Sequence, residues 1–335
     1  MSLQDVESVS ITILMDNCTD FLLANSPHAR RPPLIVNEKY NLPAPVAEHG
    51  FSALVTTFSY ENNENNNTFL FDAGVSENGV IHNADLLGIR FDQIDGIILC
   101  HGHFDHFTGL VNVLKRISSK SSSTVDIFSH PDAFLKRWEI YPDGKRARLP
   151  SLDEKQLKEL GATIHKNSDV RLLPTDASSS SLLITGEIPR NTSFEKGFPF
   201  QYAEKPHNNS DDEEKNLNLI PDPLVKDDQA IVVNVRNKGL VVITGCGHAG
   251  IINTVNYAKQ VTGIDKIYAV VGGFHLPADG GIFEKAIDST LKELQKIDPE
   301  YIIPCHCTGW KATNKIIDLM PNKFIQSAVC TTFTF

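Results

Sequence analysis

The chain reads as an α+β protein in which β-sheets are covered by helices. Two observations predict this. Short apolar runs bounded by Gly, Pro, Asn or Asp alternate with helix-like stretches along the 335 residues. Alternation of that kind places sheets beneath helices. Second, ligand-type side chains recur directly after apolar runs, where strand ends would present them side by side. A chain of this length can bury a sizeable core as one large domain or two small ones, and we read a single domain over 1–335.

The elements follow in order. Residues 9–15 suit a strand ending at Asp16-Asn17, and residues 25–45, rich in Pro and Asn, suit an extended loop. Residues 51–58 and 68–71 suit a hairpin around the polar tract 61–67. Residues 80–87 start a helix, 92–94 turn the chain, and the apolar run 97–99 suits a buried strand. A helix over 110–118 and a strand over 125–128 follow. In the second half, strands are expected at 182–185, 230–235, 240–244, 267–271 and 301–304, with helices at 251–261 and 283–297. The last three strands deliver Gly-Cys-Gly-His248, Gly-Gly-Phe-His275 and Cys-His306. The charged tract 204–216 lacks a core face and reads as a mobile insert, with a lid over the site as the sharper alternative. Residues 118–123 and 178–181 read as Ser-rich loops.

The chemistry is concentrated after the strand at 97–99, where His101, His103, Asp105 and His106 fall within six positions. Gly102 and Gly109 loosen the backbone as it leaves that strand. Alternate residues share a face, so His101 and His103 can point the same way, and Asp105 and His106 can aim back from the next turn. Imidazole and carboxylate together suit Zn, Fe, Mn or Ni. Two ligand pairs from one loop suggest two adjacent metal positions.

Composition narrows the function. A net charge of −10 and a pI near 5.6 argue against a general grip on nucleic acid, which needs a basic face. No apolar run approaches the roughly 20 residues of a membrane span, and no signal peptide is evident at the start. The six cysteines do not form a secreted disulfide framework by spacing, so reduced thiols in a cytoplasmic enzyme are expected.

His-x-His-x-Asp-His after an apolar strand, with the upstream strand 68–71 ending in Asp72-Ala-Gly, resembles the signature of the metallo-β-lactamase fold superfamily. Six further segments occur in matching order: Glu48-His49-Gly50-Phe51-Ser52, Gly186-Glu187-Ile188-Pro189-Arg190, Asp227-Asp228-Gln229, Gly245-Cys246-Gly247-His248, Gly272-Gly273-Phe274-His275 and Pro304-Cys305-His306-Cys307. Together these resemble the subfamily of 7,8-dihydropterin-6-methyl-4-(ribofuranosyl)aminobenzene-phosphate synthases over roughly residues 10–330.

The resemblance implies a four-layer αββα sandwich with the metal site at one edge. His248 is then expected to join His101 and His103, and His306 to join Asp105 and His106, around one or two divalent ions, with zinc expected and Mn or Fe as alternatives. Asp72 would orient a ligating imidazole from behind. Many two-metal members carry a bridging Asp where this chain has Cys246. That thiolate would ligate a soft metal or serve structure alone, and Asp227 or Asp228 would be the substitute carboxylate. Asp105 would orient the attacking water. His275 would bind substrate, donate a proton or coordinate. Arg190, His49 and Lys145 are candidate substrate contacts.

The function expected is that of a metal-dependent hydrolase, acting through metal-activated water on a small, phosphorylated ester. A pterin-diphosphate-dependent transferase and a non-catalytic metal-binding module are the alternatives. The partner expected is a small phosphorylated molecule rather than nucleic acid or membrane, and the oligomeric state is left open.

Overall fold

The computed structural model describes residues 3–59, 66–119, 124–174, 180–205, 218–278 and 281–335. The Ser-Val-Ser-Ile-Thr-Ile-Leu-Met run forms the strand Ser8–Met15. Its alternation sends Val9, Ile11 and Ile13 into one apolar cluster and Leu14 into another, and a register shift between Ile13 and Met15 turns Met15 to the side of Leu14. Ser8–Met15 pairs antiparallel with Ser52–Phe58, which forms a hairpin with Asn67–Phe71. Gly96–Ile98, Val125–Ser129 and Ala162–Lys166 then add in parallel. Thr332–Thr334 and Ala29–Arg30 extend the other edge to give an eight-stranded sheet.

A second, seven-stranded sheet runs Arg171–Leu173, Leu182–Ile184, Ala230–Val235, Gly239–Thr244, Ile267–Gly272 and Tyr301–Pro304, with Asp5–Val6 joined to Ala230–Val235. Its last three strands are parallel, so their C-terminal ends lie together.

Three apolar clusters show how the layers stack. One joins inward faces of both sheets, with Ile11, Val55 and Phe71 against Ile231, Val241 and Val271. A second packs Leu70, Ile97 and Ile127 against Val80 of helix Gly79–Leu86 and against Leu110, Val113 and Ile117 of helix Leu110–Ser118. The third packs Val232, Val242, Val270 and Ile302 against helices Ile251–Thr262, Ile282–Ile297 and Trp310–Leu319. The result is the αββα sandwich. Burial of each such side chain stabilises the fold by about 1.5–3 kcal/mol.

The structure departs from the sequence reading in several places. Arg137–Ile140, Arg146–Arg148, Gln201–Glu204 and Leu219–Pro221 form a separate four-stranded sheet. These strands carry many polar residues and little apolar alternation, so periodicity does not mark them. The expected loop at 25–45 contains Ala29–Arg30 and a two-stranded ladder, Ile35–Val36 with Lys39–Tyr40. Of the expected insert 204–216, only 204 and 205 are described, and 204 ends a strand. Most of the tracts 61–67 and 118–123, and residues 178–179, also lie outside the described residues.

Candidate metal centre

Strand ends from both sheets supply the donors. His101, His103, Asp105 and His106 leave the strand Gly96–Ile98, with His103 extended at the start of the short helix Phe104–Phe107. A Cβ on Gly102 would lie 2.1 Å from the Ala133 carbonyl oxygen, so only glycine lets this loop pass. From the other sheet, Cys246 and His248 follow Gly239–Thr244, His275 follows Ile267–Gly272, and His306 follows Tyr301–Pro304. A Cβ on Gly245 would lie 2.2 Å from Cys100 Sγ and 2.7 Å from Asp72 Oδ2. Glycine there allows the two sets of strand ends to meet.

Donor atoms of Asp105, His106, Cys246 and His306 lie within 4.8 Å of one another, as do those of His101, Cys246 and His248. His306 Nε2 is 3.3 Å from Asp105 Oδ2, and His106 Nε2 is 3.2 Å from Cys246 Sγ. His248 Nε2 faces His103 Nδ1 at 3.1 Å.

A shell of fixed partners aims these rings. Asp72 is fully buried, with Oδ2 2.8 Å from His106 Nδ1 and Oδ1 accepting from Cys100 N at 2.8 Å. Gln201 Oε1 holds His103 Nε2. Asp16 Oδ1 accepts from the backbone N of His306 at 2.8 Å, and Asp16 Oδ2 accepts from the Ser327 hydroxyl. Asp227 Oδ2 accepts from Gly102 N at 2.7 Å while the same carboxylate pairs with buried Arg137. Asp228 Oδ2 accepts from Ala249 N at 2.7 Å, just past His248.

Electrostatics sorts the imidazoles. Burial, reinforced by neighbouring imidazoles, pushes His101 and His248 well below their ordinary range. Burial and the Arg137 charge lower His103 to about 4. Burial also works against the charged form of His106, but Asp105 and Asp72 overcome it and raise that ring to about 9. Burial opposes ionisation of Asp105, yet His106 and His306 hold its carboxyl well below the usual range. His101, His103 and His248 are thereby held in the neutral form that ligates a cation.

The residues fit a divalent cation. His101 Nε2 and His248 Nδ1 are enclosed without a hydrogen-bond partner, a costly state for buried polar atoms. Both residues belong to the clustered donor groups.

A cavity of about 250 Å³ opens beside Asp105 and His248, walled by Phe104, Leu149 and Phe198, with Glu139 at its edge. His49, with its side chain 67% exposed, places Nε2 3.7 Å from Asp105 Oδ2 and its ring 4.9 Å from that of His306, tilted by 37°. His275 also lines this cavity. Two candidates from the sequence do not reach it. Lys145 is 83% exposed and paired with Asp143 beside a turn, because its hairpin points into solvent. Arg190 is spent on the carbonyls of Ile188, Leu224 and Val225. Asp227 is likewise committed to Arg137 and the Gly102 amide, and Asp228 Oδ2 to the Ala249 amide, so both brace the ligand loops from behind. Sequence reasoning missed Gln201, Phe198 and Glu139, which no motif flags, and Cys307, which the Cys-His-Cys spacing could have suggested.

Residues 67–201 match the family model of the β-lactamase superfamily domain. The chain belongs to the metallo-β-lactamase superfamily, whose members are mostly enzymes and typically bind divalent metals. Within it, the chain is 31% identical over 281 residues to the 7,8-dihydropterin-6-methyl-4-(β-D-ribofuranosyl)-aminobenzene-5′-phosphate synthase of Methanocaldococcus jannaschii, covering 83% of this chain and 87% of that protein. It is 30% identical over 286 residues to the uncharacterized protein MJ0448 of the same organism, covering 84% and 92%. Among solved structures, Tm1679, described as a metal-dependent hydrolase of the β-lactamase superfamily, superposes with a TM-score of 0.69 at 22% identity, over 97% of this chain and 98% of that one.

Proposed function

We propose that this protein is a metal-dependent hydrolase of a small phosphorylated ester. The observation that carries this reading is the convergence of His101, His103, Asp105, His106, Cys246, His248 and His306 from two sheets beside one open cavity. These residues would hold a divalent ion, with zinc the expected one, which would supply Lewis-acid polarisation of a phosphoryl oxygen and acidify water near neutral pH.

The chain's own groups do the rest. Asp72 fixes the far nitrogen of His106, and Gln201 fixes that of His103, so each ring presents its other nitrogen to its neighbours. Asp105, 3.7 Å from His106 and 3.3 Å from His306, stays ionised and is placed to orient a nucleophile. Among the described residues lining the cavity none is Lys or Arg. The phosphate charge is therefore met by the cation and the histidines, and substrate binding should require metal. The apolar wall of Phe104, Leu149 and Phe198 would hold the leaving group. The cavity, at about 250 Å³, lies below the roughly 300–1,000 Å³ of drug-sized ligand sites, which favours a small ester.

A second reading is a transferase that joins a pterin diphosphate to an aryl riboside phosphate. It is favoured by the similarity to the archaeal synthase and by an adjoining cavity of about 230 Å³ across His306, rimmed by the exposed Trp310. That space would take a second, planar substrate.

One assay separates the two. Chelated protein, with and without added Zn²⁺ or Mn²⁺, is offered nitrophenyl phosphoesters, and separately a pterin diphosphate with an aryl acceptor. Metal-dependent release of nitrophenol supports hydrolysis. Diphosphate release only when both partners are present supports transfer. Silence in both arms with full metal would sink the enzymatic reading.

A further inference from the structure

We propose that Cys246, His275 and Cys307 form a further, thiolate-rich metal position that takes a soft divalent cation of the zinc–cadmium class. The three come from the ends of three adjacent parallel strands: Gly239–Thr244, Ile267–Gly272 and Tyr301–Pro304. One donor atom from each lies within 4.8 Å of the other two. Cys307 is held inward, its thiol donating to the Cys246 carbonyl at 3.1 Å.

Two independent features of His275 point to a ligand. Both its ring nitrogens are enclosed without a hydrogen-bond partner. Its backbone sits at φ +45°, where a non-glycine residue is strained. A residue that is both strained and unsatisfied needs a compensating interaction, and such positions cluster where function over-determines them. Gly273 keeps the space open, since a Cβ there would lie 2.8 Å from Cys307 Sγ and 2.4 Å from the Gly245 oxygen.

The donor chemistry selects the ion. Thiolate is a soft ligand, and two thiolates with a neutral imidazole balance a divalent charge. Uptake displaces one proton from each thiol to solvent, and no electrons move. Three protein ligands leave a fourth position, and all three residues line the cavity, so that position would face substrate. Cys246 also belongs to the two histidine-containing donor groups. Its sulfur would then be the atom shared between the hard centre and the soft one.

The test uses the full chain, reduced, stripped of metal and titrated with Co²⁺ or Cd²⁺. Wild type should show thiolate-to-metal charge-transfer absorption and bind one ion more per chain than Cys307→Ser. That variant should lose most of the charge-transfer intensity and keep its far-ultraviolet circular dichroism. His275→Gln should keep the absorption but weaken the ion responsible at least tenfold. His103→Ala should lower the ion count yet leave the charge-transfer band intact, which separates this position from the centre at His101–His306. The proposal is overturned if Cys307→Ser, folded, binds as many ions with the same spectrum. It is equally overturned if Cd²⁺ fails to slow alkylation of Cys307.

Discussion

Asp72→Asn offers a test of how the centre is aimed. The residue sits at φ +60°, a conformation Asn tolerates nearly as well as Asp. The Cys100 amide, 2.8 Å from Oδ1, is a donor and so dictates that the new side chain turn its oxygen that way. The amide nitrogen then faces His106 Nδ1, where a carboxylate oxygen stood at 2.8 Å. An NH₂ group donates, so His106 must accept at Nδ1 and keep its proton on Nε2, the nitrogen beside Asp105 and Cys246. That tautomer cannot ligate. The lost charge-assisted hydrogen bond is worth about 1.5–3 kcal/mol, matching the roughly 10–100-fold loss of metal affinity usual when such a support is removed. Competitive titration against a chromophoric chelator reads this directly, with the melting temperature of the metal-free protein as control. Asp72→Ala should also destabilise the metal-free fold, because the Cys100 amide is left unpaired at a cost of about 1–3 kcal/mol. Wild-type metal affinity in Asp72→Asn would refute the orientation argument.

Other outcomes follow from the same contacts. In chelated protein, His101, His103 and His248 have folded pKa values below their unfolded one, so the unfolded chain binds more protons as pH falls from about 6.5 toward 4. The melting temperature should drop across that window; a flat profile would show that these rings are not buried as described. His106, raised to about 9, is protonated in both states there and adds no slope; its contribution is lost only above neutrality. Arg137→Leu strands the buried Asp227 carboxylate and should cost about 3–5 kcal/mol in urea unfolding at neutral pH, with less loss in acid, where Asp227 can protonate. Gly102→Ala drives a methyl into the Ala133 carbonyl and should abolish metal uptake before it abolishes folding, as seen by ion analysis alongside circular dichroism. Lys145→Ala, at an exposed position, should change stability by no more than about 0.5 kcal/mol and leave turnover unaltered.

What the sequence made legible was local. The strand at Gly96–Ile98 and the loop after it are contiguous, so the grouping of His101, His103, Asp105 and His106 needs no knowledge of long-range pairing. Leu110–Ser118 was readable to the residue because its apolar face repeats at helical spacing. The joining of His248 and His306 to that loop came only through family resemblance, since 142 residues separate His106 from His248. Strand pairing across such distances leaves no periodic trace. The same holds for the small sheet that carries Gln201 and Arg137: its strands are polar, and its contribution lies in contacts to residues far away in sequence. Arg190 looked like a phosphate ligand because a guanidinium in a Gly-Pro loop is ambiguous until its carbonyl partners are seen.

The meeting of two sheets at Gly245, Cys100 and Asp72 has a thermodynamic consequence for the whole molecule. Away from this seam, the inward faces of the sheets share one apolar cluster, joined by a few hydrogen bonds such as Thr57–Ser181. An ion gripped from both sides would act as a rivet, adding RT ln(1 + [L]/Kd) to the cohesion of the entire sandwich. Heat tolerance would then track the free ion concentration of its surroundings, and starvation for that ion would loosen the scaffold along with the chemistry.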